Sequence, residues 1–167
     1  MPTPNRTIRY AQLIGILGSL MIAFGSTFAP LFCGEYEVFF TTSDCHIGGE
    51  NTLLDWRDIR DDPFQVFQDQ WVSLGLLLFA YYGLRGSLQR DFIGLVFSGV
   101  GTTIIAGFML MLLAAAMHIP KEHLFEHTEY GWAFLFGGAF LTFGSAIMLF
   151  SQEKRSTPAV AENLTID

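Results

Sequence analysis

The chain has 167 residues, 51% hydrophobic and 15% charged, with a formal net charge of −7. That length suits one domain, and the acidic balance excludes the basic footprint of a nucleic-acid binder. Polar residues gather at the two ends and in 33–70 instead of being spread through the chain, which excludes a water-soluble globule and makes lipid the solvent.

Four apolar stretches, Tyr10–Phe32, Pro63–Leu84, Phe92–Met117 and Tyr130–Phe150, each reach the roughly 20 residues that a helix needs to cross a bilayer. Arg6 and Arg9 before the first stretch, with Leu13–Phe24 behind them, also fit a signal peptide. A cut after Ala29 would leave Pro30 next, which disfavours cleavage, so the stretch is read as a span. Along it Ala11, Gly15, Ser19, Ala23 and Thr27 recur every fourth residue. At 3.6 residues per turn they form one shallow stripe, and small stripes bring helix backbones together where lipid removes any hydrophobic gain.

The next segment, 33–62, is expected to be a small outer lobe inserted between the first two helices. Cys33 and Cys45, the only cysteines, fall in it and predict a disulfide closing a short loop. Glu35–Thr42 holds Tyr36, Val38, Phe39 and Phe40, the composition of a β hairpin. Leu53, Leu54, Trp56 and Ile59 share one side of a short amphipathic helix, placed at the membrane interface. Asp62 and Pro63 read as the cap and first residue of helix two.

Helix three repeats the small-residue device with Gly94, Ser98, Thr102 and Ala106, and helix four with Gly138, Thr142 and Ala146. Residues 1–155 are therefore read as a four-helix transmembrane domain and 156–167 as a disordered cytoplasmic tail. Arg6, Arg9, Arg85, Arg90, Lys154 and Arg155 fall on one side of the bilayer, against Arg57, Arg60 and Lys121 on the other. The excess puts both termini in the cytoplasm of a multi-pass cell-membrane protein. Trp71, Tyr130 and Trp132 then mark the outer interface, and Tyr10, Tyr81 and Tyr82 the inner one.

No Asp, Glu, His, Lys or Arg falls in the middle of any span. Intramembrane ionisable groups mark ion paths, proton relays and cofactor ligands, so neither a proton-coupled transporter nor a carrier of haem on mid-membrane histidines is expected. Outside the spans, His118, His123 and His127 crowd the outer loop before helix four. His123 and His127 are one helical turn apart, a spacing on which Zn²⁺ or Cu²⁺ can bridge two imidazoles. The order His-Leu-Phe-Glu-His lacks the Glu placement of a zinc protease, and a hydrated polar loop explains the same residues. The acids Asp55, Asp58, Asp61 and Asp62 lack the Gly and closing Glu of an EF-hand. No serine sits in a Gly-x-Ser-x-Gly setting.

By layout, a helix, a strand-bearing outer loop with Cys33 and Cys45, then three more helices, the chain resembles the claudin-like tetraspan class. Tyr130-Gly131-Trp132 at the start of helix four also resembles uncharacterised small prokaryotic four-span membrane proteins. The claudin Trp…Gly-Leu-Trp signature is missing, because Cys33 follows directly on helix one, so no functional residue is carried over. The expectation is an all-α membrane protein, an antiparallel four-transmembrane-helix bundle with a small disulfide-containing extracytoplasmic loop. Its packing residues are Gly15, Ser19, Ala23, Gly94, Ser98, Thr102, Gly138 and Thr142. The expected role is non-enzymatic and without a cofactor, an accessory or scaffold subunit meeting a membrane-protein partner or further copies of itself. A metal- or cofactor-handling protein built on the outer histidines, and a small channel or permease for an uncharged solute, are the alternatives.

Overall fold

The computed structural model describes residues 4–29, 71–116 and 130–162, and every regular element among them is an α-helix. In chain order these are α1 (Pro4–Thr27), α2 (Trp71–Gln89), α3 (Phe92–Ala116) and α4 (Tyr130–Glu162). In water, mid-helix glycines such as Gly18, Gly99, Gly101, Gly137 and Gly138 would each cost about 1 kcal/mol. In lipid an unbonded peptide group costs more, so the helix persists through them.

Among the described residues three stretches are long and apolar enough to cross a membrane: Arg6–Thr27, Phe92–Leu112 and Tyr130–Lys154. The described α2 is 19 residues long and carries Arg85 near its end. The Pro63 start expected for it lies outside the described residues. So do Cys33, Cys45, the expected hairpin and interfacial helix, and the histidine loop. α4 runs on to Glu162, so its backbone is helical past Ser156, where the sequence reading begins a disordered tail.

The helices form a ring: α1 packs on α2 and α4, α3 packs on the same two, and α1 barely meets α3 across the diagonal. Neighbours are antiparallel. Gln12 lies by Ser87 and Ser26 by Ser73 on α2, while Ala11 lies by Ser145 and Phe24 by Phe134 on α4. The α3–α4 pair closes the ring the same way, with Phe92 against Phe150 and Gly99 against Ala139.

Only two residues, Arg90 and Asp91, separate α2 from α3. Arg90 takes a left-handed φ of 60°, and the Asp91 amide donates to the Gly86 carbonyl at 2.9 Å. That is the six-to-one bond of a Schellman stop. Asp91 Oδ1 then accepts from the Ile93 amide at 3.0 Å, capping α3. One residue pair thus ends one helix and starts the next.

The polarity of this ring is inverted relative to a soluble protein. Leu13, Ile93, Ile104, Met111 and Phe140 are all exposed, Phe140 to 76%. Among the described residues the buried polar side chains are Ser and Thr, beside the indole of Trp132. Such a surface is stable in hydrocarbon and not in water, in keeping with a membrane protein.

Candidate functional site

The interior is the part of the molecule that departs from plain apolar packing. Two apolar clusters occupy the ends of the ring: Ala11, Leu95, Ala146 and Leu149 at the end nearer the Arg90 turn, and Ile22, Leu76, Ala106 and Leu135 with their neighbours at the other. Between them lies a layer of small and hydroxylated residues, centred on Ser19, Gly83, Ser98 and Thr142.

Glycine creates this layer by letting other groups in. A Cβ built on Gly83 would stand 2.5 Å from Ser98 Oγ and 2.6 Å from Ser19 Oγ. At Gly15 it would meet Ser87 Oγ and Ser145 Oγ. Where α1 meets α4 the contact is backbone on backbone: a Cβ on Gly138 would lie 2.6 Å from the Gly18 carbonyl oxygen, and one on Gly18 would lie 2.7 Å from that of Gly138. These contacts admit hydrogen only.

Most of the buried hydroxyls bond to carbonyls. Ser19 donates to the Gly15 carbonyl at 2.7 Å and Ser87 to that of Gly83 at 2.8 Å, both one turn back on the same helix. Thr142 donates to the Ala139 carbonyl at 2.9 Å. Two cross between helices: Ser73 to the Ser26 carbonyl at 2.8 Å, and Ser145 to the Ala11 carbonyl at 2.7 Å. Gln12 Nε2 adds a third tie, to the Ser87 carbonyl at 3.1 Å. Ser98 and Thr102 are the exceptions. Both are fully buried, one turn apart on α3, and neither hydroxyl has a hydrogen-bond partner among the described residues.

Of the residues singled out from the sequence, Gly15, Ser19, Ser98, Thr102, Gly138 and Thr142 lie in this interior, and Ala23 is half-buried. Gly94 packs beside the turn, by Asp91 and the Tyr82 carbonyl. His118, His123 and His127 lie outside the described residues. Among the described residues no cluster of His, Cys, Asp or Glu could hold a metal ion.

Sequence reasoning passed over Gly18, Gly83, Ser73, Ser87 and Ser145. A signal for the α2 set exists: Ser73, Ala80 and Ser87 repeat every seven residues, with Gly83 between, and all four are buried. A search for four-residue spacing alone steps over that heptad.

Among the described residues, concave places lie on the outside of the bundle. A crevice of about 410 Å³ between α3 and α4 has Gly99 and Ala139 at its floor and Val100, Ile104, Phe140 and Phe143 around it. A second, of about 350 Å³, is lined by Tyr81, Leu84, Arg85, Leu88 and Gln89 of α2, where Arg85 Nε donates to Gln89 Oε1 at 3.1 Å. Arg85 bends toward the helix end, as a snorkelling cation does near a membrane surface. Set against family models, curated proteins and solved structures, the chain matches none of them.

Proposed function

We propose that this chain is a non-enzymatic multi-pass membrane protein, an antiparallel four-span bundle whose role is to pack against other membrane proteins as an accessory or scaffold subunit. The observation that carries this reading is the interior: among the described residues it contains hydroxyls, glycines, aliphatic groups and the indole of Trp132, and no ionisable side chain. Nothing there can serve as a nucleophile's base, a proton relay or a cofactor ligand. What remains is helix packing, used inward at Gly18 and Gly138 and available outward at the α3–α4 crevice.

That crevice gives the proposal a contact face. Its floor is small and its walls are Ile, Val and Phe, so a transmembrane helix from a partner can sit between α3 and α4 and bury aromatic area there. The expected disulfide lobe, with its acids and aromatics, would supply the contact outside the bilayer. A permease for an uncharged solute draws on the same buried hydroxyls, but the Gly18–Gly138 approach leaves no open path along the α1–α4 seam.

The test is native mass spectrometry of the protein taken from its own membrane in mild detergent, followed by photo-crosslinking from position 140. A stoichiometric partner captured at Phe140 supports the reading. A monomer that crosslinks only to lipid removes it.

A further inference from the structure

We propose that the crevice lined by Tyr81, Leu84, Arg85, Leu88 and Gln89 binds the phosphate of an anionic phospholipid, with Arg85 as the cation that holds it. The depth of Arg85 follows from the α1–α2 register. Gln12 Nε2 donates to the Ser87 carbonyl and the two helices are antiparallel, so Arg85 sits deeper in the bundle than Gln12. The first span begins at Arg6. At 1.5 Å per residue the Arg85 backbone therefore lies roughly 10 Å inside the end of that span. A cation this far in is costly unless it reaches the interface or meets a counter-ion. Gln89 Oε1 accepts from Arg85 Nε at 3.1 Å, and among the described residues no carboxylate pairs with Arg85. The acids at this end are engaged or distant. Asp91 caps α3 by accepting from the Ile93 amide, and Glu153 stands on α4, across the diagonal of the ring.

The guanidinium is a planar fork. With Nε held by Gln89, its two terminal nitrogens remain to grip two oxygens of one phosphate. Gln89 accepts through its oxygen and keeps its amide nitrogen as a further donor beside them. The surroundings choose a lipid over free phosphate. The crevice opens on an outward face where Tyr81 and Leu88 are 56% and 62% exposed, so acyl chains can lie along the surface that leads to it. They also favour a headgroup with net negative charge. Arg6, Arg9, Arg90 and Lys154 are exposed at this end against Asp91 and Glu153, although the chain as a whole carries −7. A zwitterionic headgroup brings its own cation into that positive field, and an anionic one does not. The inference stands whether or not the chain has a protein partner.

The experiment is native mass spectrometry of the full chain released from nanodiscs of phosphatidylglycerol and phosphatidylcholine in equal parts, with identical acyl chains. The unaltered protein should keep phosphatidylglycerol in preference. Equal retention of the two lipids would overturn the proposal, and this arm does not depend on how any variant folds. Arg85→Gln should cut the preference about fivefold, the effect of one cation near a membrane surface. Lys154→Gln removes a charge from the same end but not from the crevice, and should cost little. Equal losses in the two variants would mean a diffuse positive surface and no site. Inorganic phosphate added before release should leave the lipid bound. Displacement by it would mean that the crevice reads phosphate alone, and the lipid assignment fails.

Discussion

The two seams that α1 makes with its neighbours are built by different means. Against α4 the helices touch through backbone, with Gly18 and Gly138 each lying under the other's carbonyl. Against α2 they touch through polar side chains: Gln12 Nε2 and Ser73 Oγ donate across to carbonyls, and Gly15 and Gly83 make room for the hydroxyls of Ser87, Ser19 and Ser98. A carbonyl oxygen in a helix cannot move without breaking the helix, whereas a hydroxyl can rotate. The α1–α4 seam should therefore be brittle and the α1–α2 seam forgiving, although both are lined with the same small residue types.

Adding one methyl group on each side probes that difference most directly. Gly138→Ala drives a Cβ into the Gly18 carbonyl and the Ile22 amide, so the helices must separate, at a cost of about 2–3 kcal/mol. The measurement is the unfolding midpoint in detergent or bicelles. The atoms nearest the methyl of Gly83→Ala are the Ser98 and Ser19 hydroxyl oxygens and, farther off, the Ser98 Cβ. Rotating those hydroxyls relieves most of the overlap, and the loss should be nearer 1 kcal/mol. Equal losses at the two positions would mean that the seams do not differ as their geometry says.

Which of these features could be read in the sequence depends on what kind of residue carries them. The four-residue stripe on α3, Gly94 to Ala106, is buried throughout, because a straight helix keeps that face toward its neighbours for three turns. On α1 the same rule works less well: Ala23 is only half-buried, while Gly18, Ile22 and Gly25, which belong to no such stripe, meet α4. A helix held between two partners needs two faces about a hundred degrees apart, and a search for one stripe finds a compromise between them. Among the described residues the lack of buried charge follows from where the ionisable residues fall in the sequence, outside the middles of the spans. The orphaned pair Ser98 and Thr102 was not legible there, since whether a hydroxyl bonds backward or faces inward depends on its rotamer and on the helix opposite. Cys33, Cys45 and the histidines lie outside the described residues, and the sequence alone speaks for them.

The α2–α3 turn sharpens the comparison by separating the strain of a connection from the strain of a seam. Arg90 holds a left-handed φ of 60°, where a Cβ is penalised and glycine is not. Arg90→Gly should raise stability by about 1 kcal/mol, read as a higher unfolding midpoint. The same substitution placed in the Gly138→Ala background should add the same amount. The turn and the α1–α4 contact share no residue, and distant sites are additive. A gain that vanishes in that background would show that the turn and the brittle seam unfold as one unit.

The smallest expected effect tests what the cross-helix hydrogen bonds contribute. Ser73 Oγ donates to the Ser26 carbonyl on the α1–α2 seam, and Ser145 Oγ donates to the Ala11 carbonyl on the α1–α4 seam, at nearly equal lengths of 2.8 and 2.7 Å. In a membrane such a bond is worth only about 0.6 kcal/mol on average, because the unfolded helices find other partners. Ser73→Ala should therefore lower stability by about that amount. If the seams differ only in their glycine contacts, Ser145→Ala should match it and the double variant should show the sum. A larger loss at Ser145 than at Ser73 would place part of the α1–α4 stability in its hydrogen bond. In that case Gly18 and Gly138 owe their close approach to a bond seven residues away on each helix, and not to the fit of their own backbones.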